Sequence, residues 1–452
     1  MQRTKIAETV KKIHKIIKIL GRAQTIRDHG KVTFIDVVDE SGLVQTVTRE
    51  DVNVTPQDVV EIEGIVKKRP ANLVNKNIET GEIEIEIRNL RIISKSATPP
   101  IPVEGEGLDI DEDLRLKYRY LDLRRPRLQK NLRLRHEIVS LIREFLNNEE
   151  FVEIETPYLS KTTPEGARDF LVPSRLHPGK SYALAQAPQQ YKQLLMLSNF
   201  EKYYQIARAF RDEDMRADRQ FEHSQVDIEM AYITQEEILD LVERMMIYLC
   251  KKLKRKVYKI PFPKFTYKEA IKKFKSDRFD IRSDKKDNSL AFGWVTDFPL
   301  LEFNKEENRL TFSHNPFTAP KEKDLENLKK RKDLDKIESY QFDLVLNGEE
   351  LGSGSIRIID PNIQKEVFKV MGLSDKKIDE DFGHLLKAYK YGAPPHGGIA
   401  LGLDRLCAIF AGEINIREVM AFPISGGGQT SVMDAPAEID NATLKELKLK
   451  KL

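Results

Sequence analysis

The sequence predicts an α+β protein in two parts: a small β-barrel at the N-terminus, then a larger antiparallel sheet flanked by helices. Three observations predict it. Up to residue 94, segments rich in β-branched residues alternate apolar and polar side chains and are separated by Gly, Asp and Asn turns. The stretch "SKSATPPIPVEGEG" (94–107) then interrupts every periodic pattern with prolines and glycines. Beyond it, amphipathic helices are interspersed with hairpin-like strands without a regular βαβ rhythm, which favours an antiparallel sheet over a doubly wound one.

The first part contains "HKIIKILGRAQTIRD", "VTFIDVVDESGLVQTVT", "DVVEIEGIVKKR" and "EIEIEIRNLRIIS". About five strands in ~80 residues fit a closed barrel of the oligonucleotide-binding type, whose exposed face can stack and hydrogen-bond unpaired bases. We place this barrel at 1–98, a linker or hinge at 99–125 and the larger domain at 126–452. In "RHEIVSLIREFLNN", Ile138, Leu141, Ile142 and Phe145 repeat at i, i+3, i+4 and i+7, which makes an amphipathic helix leading into the alternating strand "FVEIETPYLS". The segment 272–289 is polar enough for a surface excursion.

Composition narrows the classes. The 452 residues are 40% hydrophobic and 33% charged, the balance of a soluble globular protein with room for two or three domains. Lysines recur inside the apolar pattern of the N-terminal stretch and no small-residue cleavage site follows, so no secretory signal is expected. No run is long and charge-free enough to span a bilayer, so no membrane is expected. Cys250 and Cys407 lie in apolar surroundings, which points to buried thiols in a reducing cytoplasm. Net charge is only +3, yet residues 1–31 carry nine Lys or Arg against Glu8 and Asp28. A polyanion-facing module and a solvated basic face both account for that excess.

Chemistry concentrates in three segments. "RAFRDEDMRADRQFEHSQVDIEM" (208–230) reads as a hairpin, and period-two parity puts Gln205, Ala207, Ala209 and Arg211 on one face. Gln225, Asp227 and Glu229 share one face of the return strand. Two alanines beside an arginine leave a recess where a guanidinium suits bidentate capture of phosphate or carboxylate, although a solvated, salt-bridged loop would carry the same charges. In "DLVLNGEELGSGSIRI" (343–358), Ser353, Ser355 and Arg357 share a face, while Gly352 and Gly354 allow close approach of a ligand or another backbone. Asp343, Glu349 and Glu350 are oxygen ligands of the kind that hold Mg²⁺ together with substrate phosphates. In "HGGIALGLDRLCAIFAG" (396–412), a small-residue strand runs into Asp404 and Arg405 at a helix N-terminus, where anions are favoured.

Together these segments resemble the class II aminoacyl-tRNA synthetases. "FVEIETPYLS" is similar to the first motif of that class, "FRDED...RQ" to the second and "GLDR" to the third. Within the class, "TPEGARDFLVPSR", "QAPQQYKQLLM", "FRDEDMRADRQ", "SHNPFTAP", "GSGSIRI" and "YGAPPHGGIALGLDR" are similar, in the same order, to stretches of the bacterial-type aspartyl-tRNA synthetase family.

The resemblance implies an enzyme that activates L-aspartate with ATP, releases pyrophosphate, and passes the aspartyl group to the end of tRNA(Asp). It requires no protein nucleophile, only positioning and charge neutralisation. By resemblance, Arg211 would bridge substrate carboxylate and α-phosphate, Glu213 would hold the adenine amino group, and Arg405 would take the terminal phosphate. Asp212, Gln220, His223, Glu350, Gly402, Leu403 and Asp404 would complete the ATP site. Aspartate would be bound by Glu165, Gln189, Lys192, Arg211, His314 and Arg357, with Lys192 and Arg357 around its side-chain carboxylate. Two cations favour a carboxylate over the neutral amide of asparagine. Asp343, Glu350 and Ser353 would hold Mg²⁺. Pro157 would lie at a homodimer interface, and no DNA partner is implied.

In the barrel, Arg27, His29, Phe34 and Gln45 match positions that contact the anticodon in that family. Phe34 would offer a stacking surface and Gln45 a base-edge reader, whereas without the resemblance Phe34 reads as barrel core. His29 stands where relaxed enzymes that also charge tRNA(Asn) have His and strict ones often have Leu. Three departures stand out. Ala187 replaces a serine that could cap the next helix, and His223 replaces a phenylalanine that stacks on adenine. The inserted domain of bacterial-type relatives is strongly reduced, around 250–292, to a helix pair and a loop at most. The competing readings are a class relative for lysine or asparagine, and a tRNA-binding or asparagine-synthesising paralogue.

Overall fold

The computed structural model describes residues 1–162, 166–304 and 308–450, the Arg309 side chain excepted. The chain divides into two compact units, Met1–Gly107 and Leu108–Leu452. Among the described residues no helix is long and apolar enough to cross a membrane.

In the first unit, β1 (Ile16–Asp28), β2 (Thr33–Asp39), β3 (Gly42–Thr48), β4 (Val59–Lys68) and β5 (Ile83–Ser94) close a barrel in the order β1-β2-β3-β5-β4. The period-two pattern supplies its interior, with Ile19, Ile35, Val37, Val44, Ile62 and Ile85 all buried. Glycines permit the tight coiling: a Cβ at Gly21 would stand 2.6 Å from the Val38 carbonyl oxygen, and one at Gly64 2.5 Å from that of Glu86. Phe34 alternates with the buried Ile35 and so lies on the outer face, half-buried, with His29 edge-on at 5.8 Å. It is therefore not part of the barrel core.

The second unit begins earlier than the expected hinge allows. Residues 108–125 include α1 (Glu112–Lys117) and α2 (Arg119–Asp122), which belong to its interior. Arg115, Arg119 and Arg125 converge on the buried Asp122 at 3.2, 2.8 and 2.6 Å, and Arg115 also meets Glu418 at 2.8 Å. The run reads as a hinge in sequence because Glu418, the acid that ties it to the rest of the unit, lies 303 positions from Arg115.

Next come α3 (Pro126–Asn148), with proline at its first turn, and the short β6 (Val152–Glu153). The strand expected over the whole of "FVEIETPYLS" ends at Glu153 and, past Pro157, which has no N–H to donate, resumes as β7 (Leu159–Ser160) in a small sheet with β8 (Leu171–Pro173) and β9 (Ser181–Leu184). Then follow α4 (Gln189–Leu197), the hairpin β10 (Lys202–Phe210) and β11 (Glu222–Ala231), and α5 (Gln235–Lys252), which starts at a Thr234–Glu237 capping box.

In place of a separate inserted domain, β12 (Lys264–Thr266) and α6 (Tyr267–Phe274) precede β13 (Phe292–Thr296), and β12 pairs with β13 as the sheet's edge. The remaining elements are β14 (Leu301–Asn304), β15 (Arg309–Phe312), α7 (Leu325–Lys329), β16 (Gln341–Leu346), β17 (Glu349–Ile356), α8 (Pro361–Val370), α9 (Asp375–Tyr389), β18 (His396–Gly402), α10 (Leu403–Ala411) and α11 (Asn441–Leu447).

The main sheet runs β12-β13-β16-β17-β18-β11-β10-β6 and is antiparallel except at its two edge pairs. One face is covered by α3, α5 and α10, burying Ile142, Phe145, Met245, Leu249, Leu406 and Phe410. Each such side chain contributes about 1.5–3 kcal/mol, so this face is committed to the core and the other is free for chemistry. Cys250 and Cys407 lie within this core, where burial pushes both thiols up to about 12. Gly352 and Gly354 also face it: a Cβ at Gly354 would meet the Gly398 carbonyl oxygen at 2.3 Å and the Phe342 ring at 2.6 Å. The space a side chain would need at either position is taken by neighbouring strands.

Candidate active site

The polar face of the sheet forms the floor of a cavity of about 680 Å³. The hairpin register places Gln205, Ala207 and Ala209 opposite Asp227, Gln225 and His223, so the two faces read from sequence parity are one surface. Just past β10, the Arg211 N–H donates to the Phe221 carbonyl at 2.7 Å and closes the connecting loop. Arg211, Arg357 and Arg405, from the three segments singled out in sequence, all line this cavity. So do Gln189, Lys192, Glu213, Gln220, His223, His314, Glu350, Ser353, Gly402 and Asp404.

Three expected residues do not. Leu403 is buried in the apolar core, because the first turn of α10 turns that side inward. Asp212 lies outside the cavity lining, beside Arg168, which donates to its carbonyl oxygen at 3.2 Å. Asp343 sits beneath the surface, where its carboxylate accepts from Ser353. Glu165 lies outside the described residues. Asp404 lines the cavity, but its carboxylate is engaged by Arg135 and by the Ser224 N–H at 2.7 Å, a bracing role for the β18–α10 turn. Gln220 likewise accepts from the Ile424 N–H at 2.8 Å.

At the inner end, two cations meet two buried acids. Lys192 reaches Asp227 at 2.8 Å and Glu229 at 3.2 Å, and Arg357 forks onto Glu229 at 2.9 and 3.0 Å. Burial pushes the Asp227 carboxyl up, while for Glu229 the adjoining Arg357 and Lys192 overcome burial and hold it at about 2. Gly398 makes the crossing possible: a Cβ there would fall 2.1 Å from a Glu229 carboxylate oxygen. Asp227 and Glu229 thus offset part of the charge of Lys192 and Arg357, and the donors left unused matter alongside that charge. Arg357 uses Nε, both Nη2 hydrogens and one Nη1 hydrogen on Glu229, Gly398 and Ser355, and Lys192 uses two of three. One N–H of each remains, and the neighbouring Gln189 Nε2 is buried without a partner.

At the outer end, Arg405 donates to the Glu350 carbonyl and pairs with Asp218 at 3.1 Å. Glu213 meets Arg219 at 3.4 Å. Burial, then Arg211, depress His223 to about 4, and burial, then Arg357, depress His314 to about 3, so both rings are neutral near pH 7. His314 Nδ1 lies 3.1 Å from the Ser353 hydroxyl, which also reaches Asp343. Burial, then Glu350, push the Asp343 carboxyl up to about 8. Two neighbouring carboxylates of this kind fit Mg²⁺, which takes few protein ligands and fills its shell with phosphate and water. Among the described residues no group of three or more His, Cys, Asp or Glu is arranged around a common metal position.

Sequence reading gave no role to Asp227, Glu229, Arg278, Asp218 or Arg417. Parity did place the first two on the right face. Arg278 comes from the segment taken for a surface excursion, lines the cavity and meets Glu350 at 2.8 Å. Arg417, held by Glu112 at 2.8 Å, donates to the Arg216 carbonyl at 3.4 Å, while the Ile416 N–H holds that of Ala217 at 3.1 Å. These contacts brace the loop that carries Asp218, and nothing local in the sequence announces them. The α4 cap position is Pro188, so a serine at Ala187 would stand one residue too early to be the cap itself.

The comparisons agree with this geometry. The tRNA synthetases class II (D, K and N) family matches residues 111–426, and the OB-fold nucleic acid binding domain matches residues 17–93. A protein of Caldanaerobacter subterraneus named aspartate–tRNA(Asp/Asn) ligase is 39% identical, covering 98% of this chain and 96% of its own. One of Staphylococcus haemolyticus named aspartate–tRNA ligase is 36% identical over 96% of each chain. These alignments run over 574 and 568 positions against 452 residues here, so the relatives carry residues that this chain lacks. In fold, the chain is similar to a putative aspartyl-tRNA synthetase of Leishmania major (TM-score 0.76, 20% identity, 93% of each chain). It is also similar to an asparaginyl-tRNA synthetase of Pyrococcus horikoshii (TM-score 0.73, 21% identity, 94% and 98% covered). With its catalytic sheet and OB-fold barrel, the chain belongs to the class II aminoacyl-tRNA synthetases.

Proposed function

We propose that this enzyme is an aspartate–tRNA ligase, acting in the cytoplasm on L-aspartate, ATP and tRNA(Asp). The observation that carries the reading is the convergence of Arg211, Lys192, Arg357 and Arg405 on one cavity. The spare N–H groups of Lys192 and Arg357 supply two donors to two carboxylate oxygens, whereas an asparagine amide would set its own N–H₂ against one of them. Arg211 lines the same cavity, which supports a role in neutralising the α-carboxylate and α-phosphate as they approach. The pairing of Glu213 with Arg219 supports a carboxylate oriented to accept from the adenine amino group. Arg405 neutralises the departing phosphates. Asp343 and Glu350 would hold Mg²⁺, which when bound screens phosphate charge.

Neutral His223 offers a ring for stacking on adenine, smaller than phenyl. We therefore expect His223→Phe to lower KM for ATP several-fold, worth about 0.5–1.5 kcal/mol of aromatic contact, with KM for aspartate unchanged in pyrophosphate exchange.

On the barrel, Arg27 is fixed by a two-point pair with Asp36 at 2.7 and 2.9 Å and reaches Gln45 at 3.3 Å. With the outward Phe34 this supports a stacking and base-edge surface for an anticodon. His29 against Phe34 supports the relaxed reading, in which tRNA(Asn) is charged as well. Exposed Val152, Tyr158 and Leu159 around Pro157 support a homodimer contact. The test is aminoacylation of separate tRNA(Asp) and tRNA(Asn) transcripts with labelled aspartate. Charging of both is expected; charging of neither would remove the proposal, and charging of tRNA(Asp) alone would remove its relaxed part.

A further inference from the structure

Arg278 has no place in the readings above, yet it stands in the site. It follows α6, and it lines the same cavity as Arg211 and Arg405. Its side chain is about half exposed, and among the described residues Glu350 is its one ion-pair partner, at 2.8 Å. An ion pair this exposed adds little to stability, so stability alone does not explain the placement.

The backbone that presents Arg278 is built rather than loose. The next residue, Phe279, is buried among Ala270, Val295, Phe298 and Val345, and its ring stacks on Phe274 at 4.6 Å. Room for that ring depends on Gly293, where a Cβ would lie 2.6 Å from it. On the other side, the Arg278 N–H donates to the Ser276 hydroxyl at 3.0 Å. The Arg282 N–H returns to Asp280 at 3.0 Å, and Asp280 packs against the Asn347–Gly348 turn of the β16–β17 hairpin. Anchors on both sides of Arg278 therefore fix its position over the strand that carries Glu350.

The charge arrangement at that point is lopsided. Glu350 offers its carboxylate to Arg278 and its carbonyl to Arg405, and it neighbours the buried Asp343 carboxyl. Arg278 and Arg405 therefore meet one residue from two sides, at the end of the cavity opposite Lys192 and Arg357. A nucleotide brings several negative charges to that end, and a planar guanidinium binds phosphate oxygens in pairs.

We propose that Arg278 is a phosphate-binding residue of this site: parked on Glu350 while the cavity is empty, it moves to the outer phosphates of ATP when nucleotide enters. The same move frees Glu350 for a divalent cation, so one residue neutralises the acid pair in the empty site and the leaving pyrophosphate in the filled one. The inference rests on the proposed ATP-dependent activation of aspartate, and it extends that reading by a fourth arginine drawn from outside the three class motifs.

Full-length wild type, Arg278→Ala and Arg278→Lys are compared in aspartate-dependent ATP–pyrophosphate exchange, and free Mn²⁺ is titrated against each protein without nucleotide by electron paramagnetic resonance. Arg278→Ala should raise KM for both ATP and pyrophosphate about tenfold, the loss of one charge-assisted contact, and leave KM for aspartate unchanged. Arg278→Lys should recover part of the loss. Without nucleotide, Arg278→Ala should bind Mn²⁺ more tightly than wild type, because a competing cation has gone. Unchanged KM for ATP and pyrophosphate, a loss shared equally with aspartate, or Mn²⁺ affinity unchanged or weakened in Arg278→Ala would overturn the inference. A wild-type protein without exchange would instead overturn the proposed function, so the two failures are separable.

Discussion

Arg211→Ala should lower kcat for aspartate-dependent pyrophosphate exchange by about 10²–10³-fold, the cost of removing one preorganised donor, equivalent to about 2.7–4 kcal/mol. The magnitude follows from where the guanidinium stands. The loop that carries Arg211 is closed by backbone hydrogen bonds, so truncating the side chain leaves the hairpin register intact and removes charge alone. Arg211 lines the cavity together with Lys192, Arg357 and Arg405, and its field reaches both His314 and His223. Exchange measured at saturating aspartate and ATP, alongside an unfolding midpoint, separates chemistry from folding. Near-normal exchange in the variant would exclude Arg211 from the transition state.

Glu229→Gln should have the largest effect on the fold, a loss of roughly 3 kcal/mol or more, because it leaves buried Lys192 and Arg357 short of a counter-charge. It also sets an amide N–H₂ against the Arg357 fork, so KM for aspartate should rise as the guanidinium turns away. The acid limb of stability carries the same signature. Glu229 is depressed to about 2, below the ordinary carboxylate range. A group depressed in the folded state contributes stability above its unfolded value and loses it as pH falls through the folded one. The wild-type contribution is therefore complete above about pH 4.5 and fades towards pH 2. Urea midpoints across that range check it: a variant as stable as wild type, with an unchanged acid limb, would show that the pair does not hold the site together.

The parts legible in sequence were those carried by short-range pattern. Two-residue alternation gave the barrel interior and put the polar side chains of β10 and β11 on one surface. It also put Asp227 and Glu229 on the correct face, but it could not show that both acids are spent on Lys192 and Arg357. That pairing is a property of three strands and a helix together, which no local pattern in the sequence shows. Phe34 was undecided because either face of a barrel strand accepts an aromatic residue; only closure of the barrel shows which side is inside. Arg278 and Arg417 were hidden for another reason. Arg278 lies in a charged stretch that resembles any solvated loop and Arg417 in a short apolar one, and the partners that give them meaning, Glu350 and Glu112, lie 72 and 305 positions away.

The cluster around Asp122 bears on where this protein can be divided. A fragment beginning at residue 126 would keep Glu413 and Glu418 but lose Arg115 and Arg119, leaving Glu418 with Arg127 and leaving Arg417 without Glu112. One beginning at residue 108 would retain all of these ion pairs. The eighteen residues between the two cuts are thus a keystone of the larger unit, and severing them would loosen the loop behind Arg405 without touching a single substrate contact.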